Sequence, residues 1–388
     1  MNTIHPIDNA ALTALLTDHF TWMHRHPELS YEEFETTKRL RAILTAHGIR
    51  ILDLPMKTGL VAEIGQGESE RAQDSRVIAL RADIDALPIT EATGLPYASE
   101  CPGKMHACGH DFHTTAVLGA ALLLKEHESA LPGTVRIVFQ PAEEAPGGAK
   151  VVLDTGCLQD VTAMFGLHCS PRLDVGTVGI TAGPLTASVD RFVITFRGRG
   201  THAAHPEAGI DPIVCAASFI QAAQTIVSRN IEPFDAALVS ITHIEAGNTW
   251  NVIPDTALVE GTARSMTAEN RTLIKERLYA LAEGIAAAHG ATAAIDWYAG
   301  PPATNNTAHW AEVARDIAEA QHLTVIPAPP SLAGEDFAWY QETIPGCFVL
   351  VGTGPSIANH NPKFRIRTEA LLPTVHFLAT FVTQALSI

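Results

Sequence analysis

An α/β fold built in two parts is what this sequence predicts, and three observations carry the prediction. Apolar strand-like runs alternate with helical segments in the first half; from about residue 187 the order becomes β-α-β-β-α-β; the first rhythm then returns. With 388 residues the chain is also too long for one ordinary core, so two domains are expected.

The elements follow in order. After a first helix, Ser30 and Glu33 stand at the spacing of a capping box and open a second helix that runs to Gly48. Strand-like runs lie near 59–64, 76–83, 133–140 and 161–167, with apolar helices near 113–126 and 147–155 and a polar loop over 67–75. The second rhythm reads as strand 189–197, helix 211–229, strands 236–244 and 257–264, helix 269–289 and strand 291–298, a ferredoxin-like unit. A helix near 308–321, a strand at 348–351 and a last helix near 368–386 complete the larger part. The expected division is therefore 1–185 with 299–388 for the main domain and 186–298 for an insertion, tolerated where entry and exit lie close together.

Charge narrows the function. There are 26 Lys and Arg against 42 Asp and Glu, a formal net charge of -16. Such a surface repels phosphate backbones and anionic membranes, so neither nucleic acid nor membrane is an expected partner. The start, Met1 to Pro6, lacks the basic and apolar stretches of a signal peptide, and no apolar run approaches ~20 residues, so the expected address is cytoplasmic. Six cysteines without a CxxC pair do not resemble a disulfide framework.

The segment from Met105 to His113, MHACGHDFH, crowds one thiol, three imidazoles and a carboxylate into nine positions. Cys108 and His110 are two apart, so on extended backbone they project to one side, and a thiolate with an imidazole favours a borderline or soft divalent cation such as zinc. Glu143 and Glu144 follow the strand-like VRIVFQ, at the sheet edge where active sites of open α/β folds sit. One carboxylate can bind a cation while the other takes a proton from water. His168 ends another strand and His360 follows a third, so the candidate ligands recur at strand-to-loop junctions. Asp83 and Asp85 close the strand before them; one could orient a ligand imidazole. In the insertion, His202 could donate to an oxyanion, Asn251 is a polar residue beside apolar strands, and Arg264 suits a carboxylate. Taken singly, each has an ordinary structural reading: a solvated Glu pair, a satisfied histidine, a turn amide, a surface cation.

Taken in order, MHACGHDFH, FQPAEEAPGGA, GLHCSP, GRGTHAAHPEAGIDP, NVIPD, LAGEDFAWY and NHNPKF resemble the amidohydrolase branch of the M20 metallopeptidase family. The resemblance implies a mixed-sheet catalytic domain sandwiched by helices and an inserted lid that dimerises. It implies metal ligands at Cys108, His110, Glu144, His168 and His360, Glu143 as general base, Asp85 as the supporting acid, His202 and Asn251 contributed to an active site across the subunit boundary, and Arg264 near the substrate carboxylate. One or two ions of Mn, Zn, Ni or Co are implied, in a homodimer or higher homo-oligomer that hydrolyses the amide of a small N-acyl amino acid. Where the two-metal peptidase branch has His-x-Asp, this chain has Asp83-Ile84-Asp85. Alternatives are a dipeptidase or aminopeptidase-like activity, a Cys108 nucleophile with His110 or His113 as base, and a metal-dependent binding protein without activity.

Overall fold

A computed structural model describes residues 9–66 and 75–388; the opening Met1 to Pro6 and nearly all of the expected loop 67–75 lie outside them. The chain divides into two compact units, one of Met1–Gly183, Asn305–Pro329 and Trp339–Ile388, the other of Pro184–Thr304 and Pro330–Ala338. Residues 330–338, which the sequence leaves with the larger part, thus pack with the second unit.

In chain order the elements are α1 (Asn9–Arg25), α2 (Phe34–Ala46), β1 (Arg50–Ile51), β2 (Leu60–Gly65), β3 (Val77–Asp83), α3 (His110–Glu126), β4 (Thr134–Gln140), α4 (Gly148–Leu153), β5 (Ala163–Ser170) and β6 (Thr177–Gly179). There follow β7 (Gly183–Thr186), β8 (Ser188–Arg197), β9 (Thr201–His202), α5 (Pro212–Asn230), β10 (Ala237–Ala246), β11 (Val252–Ile253), β12 (Thr256–Ser265), α6 (Ala268–Ala288), β13 (Thr292–Ala299) and β14 (Thr304–Asn306). The chain closes with α7 (Ala308–Ala320), β15 (Thr324–Ile326), α8 (Ala338–Gln341), β16 (Gly346–Gly352) and α9 (Leu371–Ala385).

The first unit is a mixed eight-stranded sheet in the order β1-β2-β4-β3-β5-β16-β6-β15. Its centre is parallel: β3 runs alongside β4 and β5, and β5 alongside β16. Every residue of β3 and β4 is buried, which is why these strands read as continuous apolar runs rather than alternating ones. Helix α3 is buried from His110 to Leu124 and packs against α1 and α9. Close approach there needs Gly119, where a Cβ would meet Val375 Cγ2 at 2.6 Å and Leu16 Cδ2 at 2.9 Å. Because β3, β4, β5 and β16 are parallel, their C-terminal ends deliver Asp83, the Glu143–Glu144 loop, His168 and the loop to His360 to one edge.

The second unit has the sheet order β10-β12-β8-β13, all antiparallel, with α5 and α6 packed on it. With βαββαβ connectivity this is the ferredoxin-like order the sequence predicts. Strand β8 alternates buried and less buried residues, and Phe192, Ile194 and Phe196 meet Phe219, Ile226 and Leu278 beneath it. Both helices are capped by side chains: Asp211 accepts from the amides of Ile213 and Val214, and Thr267 from Asn270.

Two local expectations are corrected. Ser30 does not cap α2; its hydroxyl donates to Asp85 Oδ2 at 2.6 Å, and the Glu28 carboxylate instead accepts from the amides of Glu35 and Thr36 at 3.0 and 2.8 Å. Nor is the backbone from Cys108 to His110 extended. Gly109 sits at φ 94 as the residue before α3, and His110 is the first helical residue, three positions earlier than the apolar pattern implies. A Cβ on Gly109 would lie 2.3 Å from Cys169 Sγ, so glycine is required both by the turn and by the packing.

Candidate metal centre

The turn through Gly109 places Cys108 and His110 at the sheet edge, and three other segments meet them there. One ligand-type atom from each of Cys108, His110 and His168 lies within 4.8 Å of the others, and the same holds for Cys108, Glu144 and His360 and for His110, Glu143 and Glu144. The sharing of Cys108, His110 and Glu144 makes these a single cluster. Individual separations are 3.4 Å from Cys108 Sγ to His168 Nε2, 3.2 Å from His360 Nε2 to Glu144 Oε1, and 3.9 and 4.0 Å from His110 Nε2 to Glu144 Oε1 and Glu143 Oε2.

Asp85 organises the cluster from beneath. One buried carboxylate accepts from His110 Nδ1 at 3.1 Å, from the Glu143 amide at 3.1 Å, from the Glu144 amide at 3.0 Å and from Ser30. Burial opposes its ionisation, but the hydrogen bond and charge of His110 and the Ser30 hydroxyl outweigh it and hold the carboxyl below its ordinary range. With Nδ1–H committed to Asp85, the free nitrogen of His110 is Nε2. His168 is fixed in the same sense, its Nδ1 donating to the Cys169 carbonyl at 2.8 Å.

These donors fit a divalent cation. Nε2 of His110 is buried with no hydrogen-bond partner, and Oε1 of Glu144, also buried, has the His360 ring 3.2 Å away without a well-aligned hydrogen bond, a costly arrangement for polar atoms unless something binds them. The Glu144 carboxyl, raised by burial but lowered further by His360 and His110, stays ionised. A thiol, imidazoles and a carboxylate suit zinc, manganese, nickel or cobalt. A thiol nucleophile fits less well, because burial pushes the Cys108 thiol up, the reverse of activation.

His113, the third imidazole of the motif, is engaged on both ring nitrogens, Nδ1 with Asp83 Oδ1 at 2.7 Å and Nε2 with the Cys169 amide at 2.8 Å. Asp83 also takes a 2.7 Å ion pair from the fully buried Arg81. His202, Asn251 and Arg264 belong to the second unit. The Ala204 amide donates to His202 Nδ1 at 3.0 Å, which leaves an exposed Nε2–H. Asn251 accepts at its carbonyl from the Ala203 amide at 3.0 Å and at Oδ1 from Thr249 at 3.1 Å. Arg264 is half-buried and donates to the Leu332 carbonyl and the Thr262 hydroxyl, both at 3.2 Å.

Residues 79–384 match the model of peptidase family M20/M25/M40. The chain belongs to peptidase family M20. It is 48% identical to an N-acetyl-L-cysteine deacetylase of Bacillus subtilis (strain 168), over 96% of this chain and 89% of that one. It is 38% identical to the IAA-amino acid hydrolase ILR1-like 5 of Arabidopsis thaliana, over 95% and 88% of the two chains. Among solved structures it resembles the YXEP protein of Bacillus subtilis, described as a dinuclear metal binding peptidase of the M20 family, with a TM-score of 0.88, 44% identity and coverage of 97% and 99%. A putative aminohydrolase from methicillin-resistant Staphylococcus aureus matches with a TM-score of 0.92 at 32% identity, covering 97% of each chain. Membership makes this M20 chain a metal-dependent amidohydrolase. Among its described residues no helix is long and apolar enough to cross a membrane.

Proposed function

We propose that this M20 chain hydrolyses the amide bond of a small N-acyl amino acid, with Cys108, His110, Glu144, His168 and His360 as the ligands of one or two divalent ions and Glu143 as general base. The convergence of five ligand-type side chains around the buried Nε2 of His110 and Oε1 of Glu144 carries this reading. When bound, such an ion lowers the pKa of water toward ~7 and polarises a carbonyl. Glu143, whose Oε2 lies on the Glu144 side of His110, accepts the proton of the attacking water at its carboxylate and delivers it to the amide nitrogen as that bond breaks. Asp85 holds both the imidazole of His110 and the loop carrying the two glutamates, so ligand and base keep one geometry.

The second unit serves as a lid and a dimerisation surface in this reading. Its His202, with Nε2–H outward, donates to the oxyanion, in company with Asn251, and Arg264 grips the substrate carboxylate. Acetyl is the acyl group favoured by the two deacetylase relatives, both 48% identical, which makes N-acetyl-L-cysteine the first compound to assay.

The test is a panel of N-acetyl, N-benzoyl and indolylacyl amino acids and dipeptides, assayed with and without chelator and with added manganese or zinc. Chelator-sensitive release of the free amino acid is expected, faster than dipeptide cleavage. Glu143→Ala is expected to retain its metal and lose turnover by at least ~100-fold. Wild-type turnover in a metal-loaded Glu143→Ala protein would remove Glu143 from the mechanism.

A further inference from the structure

The metal-branch motif contains an imidazole that the reaction does not use. His113 is wholly buried on the first turn of α3, and its two nitrogens are both occupied. We propose that His113 is a positioning residue that sets the orientation of His168 through the backbone of Cys169; the inference rests on His168 being a metal ligand.

The chemistry of each partner fixes the direction of every hydrogen bond in the chain. The Cys169 amide can only donate, so His113 Nε2 accepts, at 2.8 Å. The proton of His113 therefore sits on Nδ1 and is given to Asp83 Oδ1 at 2.7 Å. Asp83 is anchored in turn by Arg81 Nη1 at 2.7 Å, and Arg81 Nε donates to Gln140 Oε1 at 2.9 Å. On the other side of the same residue, the Cys169 carbonyl accepts from His168 Nδ1 at 2.8 Å, which turns His168 Nε2 toward Cys108 Sγ, 3.4 Å away.

The backbone of one residue thus links two imidazoles. The rings of His113 and His168 also meet edge to face, with centroids 4.6 Å apart. Residue 169 lies near the end of β5, where its amide is held by a side chain, so loss of His113 frees the carbonyl direction that aims His168. Asp83, at the position where the two-metal branch carries an imidazole, here serves as the anchor of this relay.

The test compares His113→Leu, which removes both hydrogen bonds, with His113→Gln, which can still donate and accept, and with His168→Ala. Cobalt(II) affinity is measured by competition with a chromophoric chelator, alongside the visible spectrum of the bound ion. His113→Leu is expected to bind ~10–100-fold more weakly with altered d–d bands, and His113→Gln to recover most of the affinity. If His168→Ala weakens binding while folded His113→Leu matches wild type, this inference is wrong and the metal reading stands. If His168→Ala itself binds as wild type does, the ligand assignment is wrong instead. Wild-type protein gives a check independent of folding: long-range proton–nitrogen spectra of labelled histidines should show Nδ1–H tautomers for both residues, and an Nε2–H form of His113 would overturn the relay.

Discussion

Replacing Asp85 by Asn tests how much one buried carboxylate contributes to the centre. Both oxygens are in use: Oδ1 takes His110 Nδ1–H and the Glu143 amide, and Oδ2 takes the Glu144 amide and the Ser30 hydroxyl. An asparagine offers one carbonyl and one NH2. Whichever way the amide is turned, its NH2 faces a backbone N–H, of Glu143 on one side or Glu144 on the other. Ser30 can rotate its hydroxyl to accept, but a peptide amide cannot. Hydrogen bonds to a charged acceptor are worth about 1.5–3 kcal/mol each, and a stranded buried donor about 1–3 kcal/mol, so a loss of roughly 2–4 kcal/mol is expected. Urea unfolding of the metal-free protein should show it as a lower midpoint at unchanged slope. Because His110 loses its charged orienting partner, metal affinity should fall ~10–100-fold in the same variant. Ser30→Ala, which leaves the three N–H donors in place, should cost less on both scales. An Asp85→Asn protein with wild-type urea midpoint and wild-type metal affinity would refute the organising role.

Stability should also decline in alkali through His24. Burial lowers its pKa, but hydrogen bonds to Asp111 at 2.7 Å and Glu91 at 3.3 Å raise it from 6.5 to about 9. Below pH 6.5 both native and unfolded chains hold the proton; between there and about pH 9 only the native chain does, so its contribution, roughly 3 kcal/mol, is full at low pH and lost as pH rises through about 9. His24→Gln should flatten that part of the curve of unfolding free energy against pH; an unchanged slope would contradict the assignment. Gly109→Ala should lower the melting temperature and abolish metal binding, since φ 94 alone costs about 1–3 kcal/mol and the new methyl overlaps Cys169 Sγ. A Gly109→Ala protein that melts and binds metal as wild type does would show that the turn can relax.

The long elements were legible because their patterns are strong: largely apolar runs for β3 and β4, alternation for β8, and helical periodicity for α5 and α6. Short strands such as β6 and β15, three residues each, carry no periodic signal and exist because a neighbour pairs with them. The candidate cluster was legible as residue types at strand ends, and the resemblance supplied their roles. What local sequence could not show was which donor meets which acceptor. Ser30 has the spacing of a cap, yet it is spent on a carboxylate 55 residues away. His113 looks like a third ligand of the motif and is committed instead to Asp83 and the Cys169 amide. Arg81, fully buried in an apolar strand, makes sense only once Asp83 and Gln140 are beside it.

The five donors are scattered from residue 108 to residue 360, and the last follows β16, which must align in register with β5 before its loop can reach the others. If these five are the ligands, as proposed, no growing chain can complete the ion's cage until residue 360 has cleared the ribosome. Metal uptake would then be a late certificate of finished folding, and an incomplete chain would present its cysteine and histidines without the geometry to retain a captured ion.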